Sequence, residues 1–235
     1  MSSKFRDMRI HRFYIEKIEV VNEQILLEDK ELLNQILNVF RMEVGDRFSV
    51  FNTKEFLVEI AEANKKQITC TVVEEKEVLK HEKALTLAFS MIKKENMELI
   101  LQKCTEIGAT RFVPIISERT IKTGWNFDRM QKIVIEATEQ SGWGEVPKVE
   151  AEPKKLETFL EENKNILVLD FDGEKIEGRK SFAFSPLTIL IGPEGGFSED
   201  EREKFKTHNL KTISLGKNVL RAETAAIAIS SLLLL

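Results

Sequence analysis

The most informative stretch of the chain is an apolar strand that runs directly into a glycine-rich turn. Leu187 to Ile191 is apolar or β-branched throughout, and the next five residues, Gly192-Pro-Glu-Gly-Gly196, contain three glycines. Without a Cβ, such a turn lets backbone N–H and C=O groups approach a ligand closely. A second candidate strand, Thr212 to Gly216, also ends in glycine. Together the two turns predict one ligand pocket between adjacent loops. The alternative is that each glycine turn only connects two elements and binds no ligand.

Candidate strands and helices alternate from Leu85 onwards, a pattern typical of a parallel α/β sheet. Helices are predicted over 95–107, ended by Gly108, and over 127–140. A third is predicted to open at Pro153, and Ser198 with Glu201 forms a capping box that begins a fourth. The predicted strands are 84–91, 111–117, 165–171, 187–191 and 212–216.

Residues 8 to about 75 show a different pattern of short strands, several of which alternate apolar and polar side chains. Such alternation is typical of half-buried antiparallel strands, and it predicts a small β-barrel. One helix interrupts the strands, with apolar residues at helical spacing between Leu32 and Phe40. The predicted strands are 9–15, 24–27, 47–51, 55–60 and 67–73, and the charged segment 74–83 is the predicted linker.

Composition excludes several classes of protein. The 235 residues are 42% hydrophobic and 31% charged, as in ordinary globular proteins. No signal-peptide pattern opens the chain, and the apolar run 227–235 is far shorter than the ~20 residues a membrane span needs. Cys70 and Cys104 fit no metal or redox spacing, and the three histidines are scattered. We therefore expect a cytoplasmic protein with buried thiols, no metal and no membrane association.

Charge is distributed unevenly, which matters more for a polyanionic partner than the net charge of −4. The first 17 residues carry five lysines and arginines and one histidine against Asp7 and Glu16. This basic segment predicts RNA contact, and a solvated terminus with chance charge is the alternative.

The order of motifs along nearly the whole chain resembles the RsmE family of RNA methyltransferases, in the SPOUT superfamily. The matching segments are Met8–Phe13, Val39–Met42, Met97–Gly108, Pro114–Arg119, Glu136–Ser141, Leu190–Gly196 and Leu215–Thr224. The chain departs from the family pattern at Gln35, Met130, Trp143 and Ala222. The change at Trp143, where the family commonly has arginine, removes a candidate phosphate contact and leaves the glycine turns intact.

The resemblance implies both a fold and a function. The implied fold is α/β: a PUA-like RNA-binding β-barrel over residues 1–75, then a SPOUT methyltransferase domain over 76–235 with a deep trefoil knot. The implied reaction is transfer of a methyl group from S-adenosylmethionine to N3 of a uridine in the decoding region of 16S ribosomal RNA. The implied partners are 16S rRNA or the small ribosomal subunit and a second copy of the chain, in a homodimer.

The resemblance and the residue chemistry together suggest the site. Glu194 is the candidate base and Arg221 the candidate electrostatic stabiliser, because N3 of uracil carries a proton at neutral pH. Alternatively, Glu194 balances the sulfonium charge or caps the next helix, and Arg221 pairs with Glu223. The expected cofactor-binding residues are Leu190, Ile191, Gly192, Glu194, Gly195, Gly196, Leu215, Gly216, Val219, Leu220, Glu223, Thr224 and Ala225. The expected RNA-binding residues are Arg9, Arg12, Arg41 and Arg119, although Arg119 has Glu118 as an alternative partner.

Two other classes of function compete with this interpretation. A non-catalytic RNA-binding protein could keep the fold as a scaffold, but a scaffold would not need both glycine turns. A Rossmann-type enzyme requires Gly-x-Gly-x-x-Gly soon after its first strand, whereas the glycine cluster here lies near the C-terminus.

Overall fold

The computed structural model describes residues 10–120, 124–176 and 186–235. The chain forms two compact units, one of Met1–Lys80 with Gly142–Glu145 and one of His81–Ser141 with Val146–Leu235.

The first unit is built on a six-stranded sheet in the order β1-β4-β5-β6-β3-β2. Its strands are β1 (Arg12–Tyr14), β2 (Val20–Val21), β3 (Gln24–Leu27), β4 (Arg47–Phe51), β5 (Glu55–Ala63) and β6 (Ile68–Lys76). Neighbouring strands are antiparallel except β1 and β4, which are parallel. β6 continues to Lys76, so the first three residues of the predicted linker, 74–76, belong to a strand.

Strand alternation explains the core of this unit. In β5, Phe56, Val58 and Ile60 are buried among apolar side chains of the neighbouring strands. The predicted helix is confirmed as α1 (Lys30–Asn34), whose N-cap Asp29 accepts a hydrogen bond from Leu32 N at 2.8 Å. It continues as a π-helical segment, Gln35–Val39, which the apolar spacing did not reveal.

The second unit contains a seven-stranded sheet in which every pairing is parallel, as the alternation of elements predicted. Its order is β10-β8-β7-β12-β11-β13, with β9 also beside β8. The strands are β7 (Leu85–Ser90), β8 (Arg111–Ile116), β9 (Lys148–Val149), β10 (Lys154–Lys155), β11 (Ile166–Lys175), β12 (Leu187–Ile191) and β13 (Lys211–Ser214). The helices are α2 (Lys94–Ile107), α3 (Phe127–Ser141), α4 (Leu156–Glu162), α5 (Glu199–Thr207) and α6 (Ala222–Leu234).

Helices cover both faces of this sheet. In β12, Leu187, Ile189 and Ile191 lie in one apolar cluster with α2, α3 and α6, whereas Leu190 lies in another with α4 and α5. A strand buried on both faces reads as a continuous apolar run, which is why β12 stood out in the sequence.

Two helix-boundary predictions are confirmed and one is wrong. Gly108 ends α2 with φ +113°, and Ser198 and Glu201 form the capping box of α5. Pro153 does not open a helix: α4 begins three residues later, because Lys154 and Lys155 first pair with the end of β8.

Both cysteines are buried, and burial raises the pKa of each thiol to about 12. Over residues 10–120, 124–176 and 186–235, no group of three or more His, Cys, Asp or Glu side chains is arranged to hold a metal ion. No helix in those ranges combines the length and the hydropathy that a membrane span requires.

Candidate cofactor and substrate site

A cavity of about 460 Å³, the main cavity, lies where β12 ends, beside the middle of β11 and at the start of the loop after β13. Ligands of open parallel sheets bind at this edge, beyond the carboxyl ends of the strands. The main cavity is lined by Leu169, Asp170, Phe171, Asp172, Ile191, Gly192, Pro193, Glu194, Gly195, Gly196, Phe197, Arg202, Ser214, Leu215, Asn218, Val219, Leu220, Arg221, Ala222 and Ala225.

One wall is the glycine loop, Gly192–Phe197. A Cβ on Gly192 would lie 2.9 Å from Cε2 of Phe197, whose ring is buried and packs edge-on against Phe205. Gly196 has φ +67° and donates its N–H to Pro193 O at 2.9 Å, which closes a tight turn. The two glycines are therefore required for different reasons, close packing at Gly192 and a left-handed backbone at Gly196.

The opposite wall is the second loop, Leu215–Arg221. Gly216 has φ +147°, and the Ser214 hydroxyl bridges its backbone, donating to Gly216 O at 3.1 Å and accepting from Gly216 N at 3.4 Å. Val219 is 81% exposed and Leu220 38% exposed, although both are apolar and line the main cavity. Exposed apolar side chains at the mouth of a cavity suit the flat face of an aromatic ligand.

Most of the residues expected to bind the cofactor line the main cavity. They are Ile191, Gly192, Glu194, Gly195, Gly196, Leu215, Val219, Leu220 and Ala225. Leu190 packs into the core on the α4–α5 face, and Gly216 and Thr224 lie beside the lining residues in sequence. Glu223 is 6% exposed, and the structure gives its buried Oε2 no hydrogen-bond partner among the described residues.

A third wall, in the middle of β11 where that strand runs past the end of β12, was not predicted from the sequence. Asp170 accepts hydrogen bonds from Arg202 Nε at 2.9 Å and Nη2 at 3.2 Å, and Phe171 and Asp172 follow it along the strand. Arg202 also binds Glu199, so its charge is balanced by carboxylates. The signal was available, because the carboxyl end of the predicted strand 165–171 would lie at the same edge of a parallel sheet as the glycine loop.

Glu194 and Arg221 lie together at the mouth of the main cavity. Both also line a second cavity of about 390 Å³, the side cavity, with Lys93 and Asn96. Asn96 Nδ2 lies 3.5 Å from Glu194 Oε1. Arg221 is the N-cap residue of α6, and among the described residues it forms no ion pair with Glu223. The structure thus brings the expected base and stabiliser to one place.

Arg119 is held against the glycine loop. Its Nη1 donates to Gly195 O at 2.8 Å, and the neighbouring Glu118 N donates to Glu201 Oε1 at 2.8 Å. Glu201 is buried, and its other oxygen accepts from Ser198 N at 2.9 Å. The loop after β8 is therefore fastened to the glycine loop at Gly195 and to the first turn of α5, which follows that loop. The sequence did not indicate this contact of Arg119.

The other residues expected to bind RNA differ in their surroundings. Arg12 makes a bidentate ion pair with Glu55 at 2.8 Å, donates to Trp143 O at 3.2 Å and covers the Phe51 ring at 4.2 Å. Its guanidinium would have to leave these partners to reach RNA. Arg41 is exposed with φ +54°, whereas Arg9 lies outside the described residues.

Comparisons with known proteins agree with this arrangement. A family model described as an RNA methyltransferase domain matches residues 79–234, and one described as an RNA methyltransferase PUA domain matches 29–73. The ribosomal RNA small subunit methyltransferase E of Rickettsia conorii is 35% identical over 94% of this chain and 93% of that protein. The Aquifex aeolicus protein of the same name is 30% identical over 96% of this chain and 99% of that protein.

A solved structure extends the similarity to three dimensions. The ribosomal RNA small subunit methyltransferase E of Neisseria gonorrhoeae, bound to S-adenosyl methionine, has a TM-score of 0.84 and 27% identity. The alignment covers 95% of this chain and 96% of that one. This chain therefore belongs to the ribosomal RNA small subunit methyltransferase E family.

Proposed function

We propose that this protein is an S-adenosylmethionine-dependent rRNA methyltransferase that methylates N3 of a uridine in the decoding region of 16S rRNA. The observation that carries the proposal is the main cavity between the glycine loop and the second loop. Its volume lies within the ~300–1,000 Å³ of small-molecule sites. Glycines stand where a Cβ would collide or strain the backbone, so the walls are shaped for close approach.

The residues present fit S-adenosylmethionine. Backbone groups of the glycine loop and the second loop would hold its polar parts, and Leu215, Val219 and Leu220 would flank the adenine. When bound, the cofactor supplies an electrophilic methyl group on a sulfonium. The chain has to orient that group toward the mouth of the cavity and exclude competing water.

Glu194 and Arg221 would act on the uridine. N3 is a poor nucleophile while it carries its proton, so a base within hydrogen-bond reach is needed. The Glu194 carboxylate would accept that proton, and the Arg221 guanidinium would stabilise negative charge on a neighbouring carbonyl oxygen. Their shared position between the two cavities supports these roles.

The domain arrangement belongs to the same proposal. Residues 1–75 would form a PUA-like β-barrel that binds RNA, with Arg9 and Arg41 as contacts, and residues 76–235 the methyltransferase domain. The chain leaves β13 at the edge of its sheet, and α6 then packs against α2, β7 and β12 at the centre. That return path supports a deep trefoil knot. A homodimer acting on 16S rRNA or the small subunit would be the working form.

Nucleoside mass spectrometry tests this function. Purified protein is incubated with methyl-labelled S-adenosylmethionine and 16S rRNA that lacks the modification, and the RNA is digested to nucleosides. We expect the label in 3-methyluridine, and Glu194→Gln should slow transfer by about 10²- to 10⁴-fold. Raising the pH should partly rescue Glu194→Gln, because more of the uridine ionises unaided.

Two outcomes would contradict the proposal in different ways. Label in another nucleoside, or in none, would refute methylation at N3. Labelled 3-methyluridine formed at the wild-type rate by Glu194→Gln would keep the reaction but remove the base from Glu194, leaving Arg221 to stabilise the uridine anion.

A further inference from the structure

The side cavity has an unusual set of lining groups. Its four lining residues, Lys93, Asn96, Glu194 and Arg221, supply two cations, one carboxylate and one amide. Glu194 and Arg221 also line the main cavity, so a molecule in the side cavity would contact the groups that face the cofactor. At about 390 Å³ the side cavity lies within the ~300–1,000 Å³ range of small-ligand sites.

Lys93 and Asn96 reach the side cavity because α2 begins at this edge of the sheet. β7 ends at Ser90, and Lys93 is the N-cap residue of α2, with Asn96 in its first turn. Asn96 N donates to Lys93 O at 3.0 Å, which keeps the two residues together. Asn96 is half-buried and its amide faces Glu194, whereas Lys93 is exposed.

These groups complement one edge of one base. The Watson–Crick edge of uracil presents an acceptor at O2, a donor at N3–H and an acceptor at O4. A carboxylate flanked by cationic and amide donors offers the opposite pattern. Cytosine presents a donor amino group in place of O4 and no proton at N3, so the flanking cations would face a donor and Glu194 would face a lone pair. A site built to bond one pattern discriminates strongly against the other.

We propose that the side cavity receives the target uracil, with Lys93 and Asn96 as contacts to its carbonyl oxygens. This inference rests on the proposed function and adds two residues to it. A cation beside O2 or O4 favours the anionic form of the base and so eases loss of the N3 proton.

The N3–H bond breaks and its proton passes to a Glu194 carboxylate oxygen. The electron pair left on N3 forms the new bond to the methyl carbon, and the pair of the former carbon–sulfur bond remains on sulfur. Lys93 takes no part in the proton transfer, because its role is to stabilise charge on the carbonyl oxygen.

The test uses the full-length protein and compares Lys93→Met with Lys94→Met. Lys94 is the adjacent exposed lysine; its Nζ lies 3.8 Å from Glu98 Oε1, and it does not line the side cavity. Methyl transfer is measured in single turnover at saturating S-adenosylmethionine, and cofactor affinity is measured separately by calorimetry. Two RNAs are used, unmodified 16S rRNA and the same RNA transcribed with 5-fluorouridine, whose electron-withdrawing fluorine makes N3–H more acidic.

Lys93→Met should slow transfer to unmodified RNA by about 10²-fold, the usual effect of losing one preorganised charge-stabilising donor. On 5-fluorouridine RNA the rate difference between Lys93→Met and the wild type should be smaller, because a more acidic N3–H loses its proton with less stabilisation from Lys93. Asn96→Ala should slow transfer by about tenfold. Cofactor affinity should stay unchanged in these variants, and Lys94→Met should match the wild type.

Three results would overturn the inference: a wild-type rate in Lys93→Met, an equal deficit on both RNAs, or a loss of cofactor affinity that places Lys93 in the main cavity. The first two require an active wild-type enzyme and the third a wild type that binds the cofactor, so each leaves the proposed function standing. A wild type that transfers no methyl group would instead overturn the proposed function and this inference with it.

Discussion

Arg12 and Arg221 carry the same guanidinium in very different surroundings. Arg12 is 12% exposed at its side chain and is held by Glu55, Trp143 and the Phe51 ring. Arg221 is exposed at the mouth of the main cavity. Residue type alone predicted a functional contact for both arginines. The sequence could not reveal the ion pair of Arg12, because Glu55 lies on a strand 43 positions away and leaves no local pattern.

The Arg12–Glu55 pair makes stability depend on pH. Burial raises the pKa of Glu55, but the hydrogen bonds and charge of Arg12, with smaller contributions from Ser49 and Lys76, outweigh it and lower the pKa below its ordinary 4.5. A carboxylate with a lowered folded-state pKa stabilises the fold above its unfolded pKa and loses that effect as the pH falls through the folded value.

Glu55→Gln should therefore lower the free energy of unfolding by about 2 kcal/mol at pH 7, with a smaller difference from wild type near pH 3. Denaturant unfolding at both pH values measures this. Glu59→Gln is the matched control, because Glu59 pairs with Arg47 on the same sheet but both side chains are largely exposed. If the two substitutions lowered the free energy of unfolding equally at pH 7, burial of the Arg12–Glu55 pair would add nothing to stability.

At the scale of elements, the sequence predicted those parts that depend on local pattern. β12, the glycine loop and the α5 capping box are all encoded within a few residues of one another. The two-residue strand β10 and the π-helical segment have no such local pattern. Strand β10 forms because it pairs with β8, and the π-helical segment depends on packing within the first unit. The Arg119 contact with Gly195 is also long-range, spanning 76 positions, and could not be predicted.

Arg119 should act on cofactor binding through the loop it holds. Arg119→Met removes the hydrogen bond to Gly195 O, and we expect cofactor affinity measured by calorimetry to fall about three- to tenfold. RNA affinity and its salt dependence should change little. Arg129→Met is the control, since Arg129 is an exposed arginine of the same unit that pairs with Glu98.

The alternative for Arg119 gives the reverse pattern. A phosphate contact would leave cofactor affinity intact and reduce the slope of log affinity against log salt by about one. That result would return Arg119 to the RNA-binding set expected from the sequence.

At the scale of the whole molecule, the two patterns in the sequence correspond to two compact units. All residues that line the main and side cavities belong to the second unit. Alternation predicted a parallel sheet, but no periodicity argument predicts a knot, because knots are nearly absent among folds. The proposed knot comes from the resemblance and from the return of α6 to the centre of the sheet.

The central claim is that the main cavity binds S-adenosylmethionine through the glycine loop, and titration calorimetry with two glycine variants tests it most directly. Gly192→Ala places a methyl group 2.9 Å from the buried Phe197 ring, whereas Gly124→Ala adds one with no described atom within 4 Å, at a residue that does not line the main cavity. We expect the wild type and Gly124→Ala to bind alike and Gly192→Ala to bind at least about tenfold more weakly while remaining folded. Equal affinity in all three proteins, or no binding by the wild type, would contradict the account.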